Sequence, residues 1–319
     1  MMKGYPKVVA AILNWNGIAI EYEGKPILKT CIKSLMKVDY PNLEFVFVDA
    51  SSSDGSMGYV RKNFPDIPAK TALDEGSASL QNNGIKFALN KYPDAEYVLL
   101  VTNDMVFNDG LWLKKMADAA EKDGSIGMVN CRLRYPNGQI QHGGTKLSAI
   151  GVIMIKDREL SSTSRYQDIA CSSLALMKKE ALLKVGCFDE IYSPFSWEDI
   201  DLSSRLRRNG YKLYYVGNTN ITHLESYSTL NRKVKKKWTP SDIEFCMRRN
   251  AYMCYLRYAR GTLPFYFATD VLSDFVSFKN DKLAIRPNIW SRLRMQAPAI
   301  REAVNLYKKN KIMKVNGRY

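Results

Sequence analysis

Histidine is almost absent from this 319-residue chain: there are two, His142 and His223. No H-E-x-x-H stretch exists, and no histidine lies at zinc-ligand spacing from a cysteine, so zinc chemistry has no support. The six cysteines, at 31, 131, 171, 187, 246 and 254, form no C-x-x-C pair and no compact disulfide framework. Reduced thiols in a cytosolic setting are their simplest reading. G-x-S-x-G, a Walker P-loop and G-x-G-x-x-G are all missing, which removes the usual signals of a hydrolase, a kinase and a dehydrogenase. Long hydrophobic runs are missing too. Uncharged stretches such as 147–155 and 261–269 fall far below the ~18 apolar residues of a spanning helix. Residues 1–7 contain no apolar signal-peptide core. An integral membrane protein is not expected, whereas a peripheral one stays open. Neither an internal repeat nor a low-complexity tract is present.

Positive charge, by contrast, is plentiful: the formal net charge is +15. It points to an anionic partner, which could be nucleic acid, an acidic membrane surface or a phosphorylated substrate, and charge alone does not choose. A hydrophobic content of 46% with 25% charged residues is ordinary for a globular chain, enough for one large domain or two small ones.

Residues 8–13 (VVAAIL) form a continuous apolar run that reads as a buried strand. Residues 25–37 carry apolar side chains at helical spacing, with Pro26 near the first turn. Residues 43–48 (LEFVFV) and 97–101 (YVLLV) read as further strands, with a helix over 84–90 between them. Strands alternating with helices imply βαβ units and a mostly parallel sheet, whose ligands bind beyond the carboxyl ends of the strands. Each of these strands runs into polar residues: Asn14, Trp15 and Asn16; Asp49; then Thr102, Asn103 and Asp104. Singly these could be ordinary turn punctuation; together they favour a binding crevice. Further on, 171–177 reads as an apolar run, 178–185 and 196–209 as helices with Gly210 as C′ residue, and 213–216 as a short strand. From Asn231 onward the composition shifts. Arg232, Lys233, Lys235–Lys237, Arg248, Arg249, Arg257 and Arg260 face only Asp242 and Glu244 nearby in sequence, interleaved with or followed by tyrosines and phenylalanines such as Tyr252, Tyr255, Tyr258, Phe265, Tyr266 and Phe275.

The residues left for chemistry are a carboxylate set: Asp104 after the third strand, Glu198, Asp199 and Asp201 at a helix start, and His223 after a later strand. Oxygen and imidazole ligands of this kind suit magnesium or manganese bound together with substrate phosphates. Asp199 has a structural alternative, because residues 196–199 have the S-x-x-[DE] form of a capping box around Ser196. His223 alone reads more readily as a satisfied surface or core histidine than as a ligand. His142, in a Q-H-G-G stretch, reads as part of a tight turn.

These segments resemble the family 2 glycosyltransferases of GT-A fold, in their rhamnosyl- and galactofuranosyltransferase-like branch. Residues 46–56 (VFVDASSSDGS) resemble the family's V-D-N-x-S-x-D-G-S segment, with Ala50 in place of Asn. Residues 76–88, with Asn82 and Gly84, resemble its G-F-A-x-x-N-x-G-I segment, and 100–104 (LVTND) sits where the family carries a D-x-D or N-x-D metal motif. The series 185–190 (VGCFDE), 197–202 (WEDIDL), Arg205-Leu206, Gly210-Tyr211 and His223 follows the family's G-G-F-D-E, E-D-x-D-L, R-L, G-Y and late histidine in order. The likeness runs from about Val8 to about Ser228.

What the resemblance implies is a GT-A, Rossmann-like α/β catalytic domain over 1–230, with a sugar-nucleotide half (1–105) and an acceptor half (106–230), followed by a basic, aromatic, helical region over 231–319. It implies an inverting transferase that moves a sugar from a nucleotide-diphosphate donor to a hydroxyl of a glycan or lipid-linked acceptor in cell-surface polysaccharide or glycoconjugate synthesis. Asp49 contacts the nucleotide base with Asn14 and Asn16 nearby; Ser51, Asn82 and Asn103 complete the donor side. Asp104 and His223 hold Mn2+ or Mg2+, Asp199 is the catalytic base, and Trp197, Glu198 and Asp201 shape the acceptor side. Thr102 departs from the metal motif, which leaves Asp104 as its one firm ligand. The expected location is cytoplasmic or peripheral on the inner face of the membrane, with the basic C-terminal region either an anchor on anionic lipid or a charged layer over the catalytic domain. No nucleic-acid partner is expected, since no reader module is present. A nucleic-acid-binding protein and a catalytically dead sugar-nucleotide-binding module are the competing readings.

Overall fold

The computed structural model describes residues 4–147, 154–156, 162–194, 196–224, 238–264, 267–268, 270–271, 276–279, 282–285 and 289–315. In chain order its main elements are β1 (Val8–Asn14), α1 (Ile27–Leu35), β2 (Leu43–Asp49), α2 (Ser56–Asn63), β3 (Ala69–Thr71), α3 (Ser77–Lys91), β4 (Tyr97–Thr102), β5 (Met105–Phe107), α4 (Trp112–Lys122), β6 (Ile126–Arg134), β7 (Ile140–His142), β8 (Arg165–Gln167), β9 (Leu174–Lys178), α5 (Lys179–Val185), α6 (Glu198–Arg208), β10 (Lys212–His223), α7 (Pro240–Tyr258) and α8 (Ile289–Val315). The strands form one sheet in the order β8-β10-β6-β9-β4-β1-β2-β3, with β5 added to β10 and β7 to β6.

β1 is buried at every position, as its unbroken apolar sequence requires. Its side chains alternate between two cores. Val8, Ala10 and Ile12 pack with Leu28, Ile32 and Leu35 of α1 and Trp112 and Met116 of α4. Val9, Ala11 and Leu13 pack with Ile85 of α3 and Leu202 and Leu206 of α6. This period of two, with helices on both faces, makes the domain a three-layer α/β structure.

The half of the sheet built from β3, β2, β1 and β4 is parallel, as the alternating pattern predicts. Beyond it the sheet is mixed: β9 runs antiparallel to both β4 and β6, and β10 is parallel to β6. No expectation covered β6 or α4. In β6, Gly127, Asn130, Arg132 and Arg134 interrupt the apolar run, yet Asn130 is buried, its amide donating to the Cys171 and Leu174 carbonyls at 2.6 Å each. β10 is also far longer than the expected 213–216, because its polar second half continues as a paired strand beside β5 to His223. α3 begins seven residues ahead of the expected 84. Its first turns bury Ser79, Gln81 and Asn82, whose partners are hydrogen-bonding groups rather than apolar ones.

α7 and α8 pack against each other and against the segment that precedes α6: Tyr192, Tyr252, Met253, Cys254 and Ala303 share one core, flanked by Trp197 and Ile200. α7 starts with Pro240 in its first turn and a capping box between Thr239 and Asp242. Its arginines are not a free basic face. Arg248 pairs with Glu244 and Asp270, Arg249 with Glu302, and Arg257 with Asp189 and Asp201, so acids distant in sequence meet charges that looked unopposed. For α7, the reading as a layer covering the catalytic domain fits this pairing. The basic run 232–237, Phe265, Tyr266, Phe275 and the end of the family likeness at Ser228 lie outside the described residues. Among the described residues no helix is long and apolar enough to cross a membrane.

Gly84 lets α3 approach β1 closely: a Cβ there would lie 2.7 Å from Leu13 Cδ2 and 3.3 Å from Ala11 Cβ. Both neighbours are sealed in the core. Gly84→Ala is therefore expected to destabilise the fold by about 1–3 kcal/mol through overpacking, read as a lower denaturation midpoint. An unchanged midpoint would show that α3 can retreat freely.

Candidate active site

β2, β1 and β4 are neighbours, so their carboxyl ends deliver side chains to one edge. Asn14 pairs in register with Asp49, and Leu13 with Thr102. Asn14 and Asp49 are almost fully buried. The Asn14 amide donates to Asp49 Oδ1 at 2.6 Å, while its own Oδ1 accepts from Asn103 Nδ2 at 2.6 Å. Ser52 completes the cluster, its hydroxyl and backbone N–H donating to Asp49 at 2.7 and 2.8 Å. Hydrogen bonds to a carboxylate are worth about 1.5–3 kcal/mol each, which is how a buried negative charge is tolerated here. Asn16, left-handed at φ 47°, accepts from the Ser53 N–H at 3.0 Å. Ser51, also left-handed at φ 51°, donates to the Ala72 carbonyl at 2.8 Å. Asp54 accepts from the backbone N–H groups of Ile18 and Ala19 at 2.7 and 2.8 Å, which locks the two loops together.

One residue further on, Asp104 Oδ2 lies 3.3 Å from His223 Nε2. The antiparallel pairing of β5 with β10 sets His223 opposite Met105 and so beside Asp104. His223 Nδ1 donates to Gln141 Oε1 at 2.7 Å, which fixes the ring, and Thr102 Oγ1 donates to Asp104 Oδ1 at 2.6 Å. Burial pushes the Asp104 carboxyl up, but the charge and hydrogen bond of His223 and the Thr102 hydroxyl outweigh it, and the net shift is downward. With Nδ1 carrying the donated hydrogen, a neutral imidazole turns its Nε2 lone pair on a carboxylate oxygen. That contact needs a cation between the two, either a proton or a metal ion. Two ligands of an octahedral ion, each at about 2.1 Å, stand about 3 Å apart, so the pair fits a magnesium- or manganese-sized ion with its outer partners already in place. Among the described residues no cluster of three or more His, Cys, Asp or Glu side chains is placed to hold a metal ion.

Glu198 and Asp199 open α6. The loop before them is tied to the head of α3: Ser77 N–H donates to the Pro194 carbonyl at 2.7 Å, and Ser77 Oγ to Glu198 Oε1 at 2.5 Å. Gly76, at φ 108°, has no room for a side chain, since a Cβ would sit 2.3 Å from the Pro194 carbonyl oxygen. α3 follows β3, so this bond draws Glu198 toward the edge that carries Asp49. Glu198 is 6% exposed, and its Oε2 has no hydrogen-bond partner among the described residues. The capping box around Ser196 does not form. The N-cap is Trp197, without a side-chain bond, and Asp199 Oδ1 instead accepts from the Ile200 N–H at 2.8 Å.

Two expected site residues are held elsewhere. Asp201 is fully buried and bonded to Arg205, Arg257 and the Tyr258 hydroxyl, so its carboxylate serves the packing of α6 on α7. Asn82 is not joined to the Asn14 cluster. Its amide donates to the Phe188 carbonyl and Glu190 Oε1 at 2.9 and 2.7 Å and accepts from the Phe188 N–H, tying α3 to the segment before α6. Trp197 is half-buried, its ring 6.1 Å from that of Tyr255. His142 lies in the paired strand β7, opposite Leu133, rather than in the expected turn, while its neighbour Gln141 is the one that holds His223. Ser52, Ser77 and Gln141 were missed. Ser52 lay inside the quoted D-A-S-S-S-D-G-S stretch, whereas nothing local marks Ser77 or Gln141.

The sequence profile "Glycosyl transferase family 2" matches residues 18–186. The chain belongs to this family. Among curated relatives, "O-antigen biosynthesis protein RfbC" of Myxococcus xanthus is 23% identical over 71% of this chain but only 18% of its own length. "N-acetylglucosaminyl-diphospho-decaprenol L-rhamnosyltransferase" of Mycobacterium tuberculosis is 22% identical over 66% of this chain and 76% of its own. The chain thus spans less than a fifth of the first relative and about three quarters of the second. Two solved structures share the fold. The mannosyltransferase PcManGT from Pyrobaculum calidifontis, in complex with GDP-Man and Mn2+, aligns with a TM-score of 0.52 at 16% identity over 97% of this chain and 81% of its own. GalNAc-T7 with UDP, GalNAc and Mn2+ aligns with a TM-score of 0.61 at 12% identity over 85% and 51%. The GT-A architecture, a central sheet with helices on both sides, is therefore that of this glycosyltransferase family member.

In this setting the Glu198 carboxyl has a consequence for stability. Burial pushes it up, only partly offset by the Ser77 hydroxyl and its own backbone N–H. The folded chain thus holds this proton more tightly than the unfolded one, where a glutamate titrates near about 4.3. The contribution to stability is complete below that pH and is lost as pH rises through the raised folded value. Glu198→Gln removes the titration. Its melting temperature should gain on the wild type between about pH 4 and 7, measured by melts across that range. A pH-independent difference, or one of opposite sign, would contradict the burial argument.

Proposed function

We propose that this chain transfers a sugar from a nucleotide-diphosphate donor to a hydroxyl of a glycan or lipid-linked saccharide acceptor, with inversion at the anomeric carbon. The observation that carries the reading is the Asp104–His223 pair, 3.3 Å apart and braced by Thr102 and Gln141, beside the buried Asn14–Asp49 strand ends. Asp49, with Asn14, Asn16, Ser51 and Asn103 around it, receives the nucleotide. Asp104 and His223 would hold a divalent cation, Mn2+ or Mg2+, which when bound would stabilise the negative charge on the departing diphosphate.

Asp199 acts as general base. The acceptor oxygen forms a bond to the anomeric carbon as the bond from that carbon to the diphosphate oxygen breaks. The hydroxyl proton passes to the Asp199 carboxylate, a contribution typically of ~10²–10⁴ in rate. One displacement with one base inverts the configuration. Glu198 Oε2, buried and without a partner among the described residues, is available to accept from a substrate hydroxyl. The names of two relatives, an O-antigen biosynthesis protein and a rhamnosyltransferase acting on a diphospho-decaprenol-linked sugar, support a role in cell-surface polysaccharide synthesis and a lipid-linked acceptor. A cytoplasmic site of action at an anionic membrane surface follows from such an acceptor.

Asp199→Asn should lower transfer by at least about 100-fold while donor binding, read as a thermal shift with nucleotide-diphosphate sugars and Mn2+, stays as in the wild type. Full activity of that variant would remove Asp199 as base. Asp104→Ala should abolish the metal-dependent part of the rate, and wild-type activity that survives EDTA undiminished would overturn the metal assignment. The membrane partner predicts co-sedimentation with anionic vesicles that is lost when Lys233 and Lys235–Lys237 are changed to Gln; sedimentation unaffected by the change would place no anchor there.

A further inference from the structure

The segment that presents Glu198 and Asp199 is held at a second point, by a helix lying wholly beyond residues 18–186 of the family match. Ser196 and Trp197 both adopt left-handed backbone, at φ 74° and 75°. Neither is glycine, and each such residue costs on the order of 1–3 kcal/mol unless its surroundings enforce it. The enforcing group is Asn250 of α7, which is 1% exposed. Its Nδ2 donates to the Tyr192 carbonyl at 2.6 Å and the Ser196 carbonyl at 2.9 Å, spanning the turn from both ends. Its Oδ1 accepts from Arg249 Nε at 3.0 Å, which fixes which end of the amide faces the loop. Arg249 also donates to the Ser193 carbonyl at 2.5 Å and to Glu302 of α8 at 3.0 Å. Two adjacent side chains of one helix thus hold three carbonyls of the loop that leads into α6.

We infer that Asn250, oriented by Arg249, is a positioning residue of the active site: it holds the left-handed pair that aims the first turn of α6, and with it Asp199, at the acceptor. This rests on the reading of Asp199 as base. A residue that only stabilised the fold would lower the melting temperature without selecting the chemical step. The geometry here acts on the backbone of one loop, on the acceptor side of the reaction, while the donor-side cluster of Asn14, Asp49 and Asn103 has its own bonds.

The test compares Asn250→Ala and Asn250→Asp with Met116→Ala, a buried change in α4 in the core on the other face of the sheet. The aspartate variant sets a carboxylate oxygen against the two carbonyls. Both Asn250 variants should lower kcat at least about tenfold with donor KM within about twofold, and should speed amide exchange in the 192–202 peptide. Met116→Ala should leave that peptide's exchange and kcat within about twofold of wild type at a similar loss of melting temperature. Equal effects of Met116→Ala, a loss confined to KM, or unchanged exchange in the Asn250 variants would overturn the inference. Should the Asn250 variants fail to fold, Glu302→Gln, whose side chain is 41% exposed, loosens Arg249 alone and should lower kcat about two- to fivefold; no loss overturns the inference. If Asp199→Asn turns over normally, the assignment of the base fails, whereas the exchange measurement still reports on the hold of Asn250.

Discussion

A carboxylate taken out of water must find donors, and the edge of this sheet is organised by that demand. Asp49 is met by Asn14 and Ser52, Asp104 by Thr102 and His223, Asp54 by two backbone N–H groups, Glu198 by Ser77, and Asp201 by two arginines and a tyrosine hydroxyl. The bonds from Asp49 to Asn14, Asp104 to His223, Glu198 to Ser77 and Asp201 to Arg257 also join separate elements, and Asp54 joins two loops. Satisfying the charge and building the crevice are therefore the same act, and removing one partner would leave the other buried and unpaired, the costlier outcome. Glu198 Oε2, a fully buried carboxylate oxygen without a hydrogen-bond partner among the described residues, stands out against this background.

Topology explains why the acids converge. The parallel half of the sheet places every strand's carboxyl end on one side. β9 then enters antiparallel between β4 and β6, and the long β10 returns parallel to β6 to deliver His223 next to Asp104. A histidine 119 positions from its partner in sequence reaches it because β5, the short strand directly after Asp104, pairs with the end of β10. The fold's irregular second half is what completes the site begun by its regular first half.

The C-terminal helices change how the chain divides. A catalytic domain ending near 230 with a basic extension beyond it is a natural reading of composition. In three dimensions α7 and α8 share a core with Tyr192 and border Trp197 and Ile200, and Arg257 of α7 reaches back to Asp189 and Asp201. Arg257 neutralises two acids on either side of the Tyr192–Trp197 segment, while Arg248 and Arg249 are paired within the C-terminal helices themselves. Whatever the run 232–237 contacts, the helix after it is part of the wall behind α6.

Residue order by itself determined the strands β1, β2 and β4, since unbroken apolar runs have no other economical burial, and with them the three polar strand ends. It also carried the family's signature from Asp49 to His223, including Glu198 and Asp199, because these lie in short contiguous motifs. It did not contain β6, whose buried Asn130 depends on carbonyls 41 and 44 residues away, nor the inward pairing of α7. Nor could it show that the capping box around Ser196 does not form: Trp197 takes the N-cap position in a left-handed conformation, next to a Ser196 carbonyl that Asn250 holds from a distant element. Apolar periodicity is local and can be read along a chain. Which donor meets which buried acceptor depends on where the backbone returns, and only the folded chain settles that.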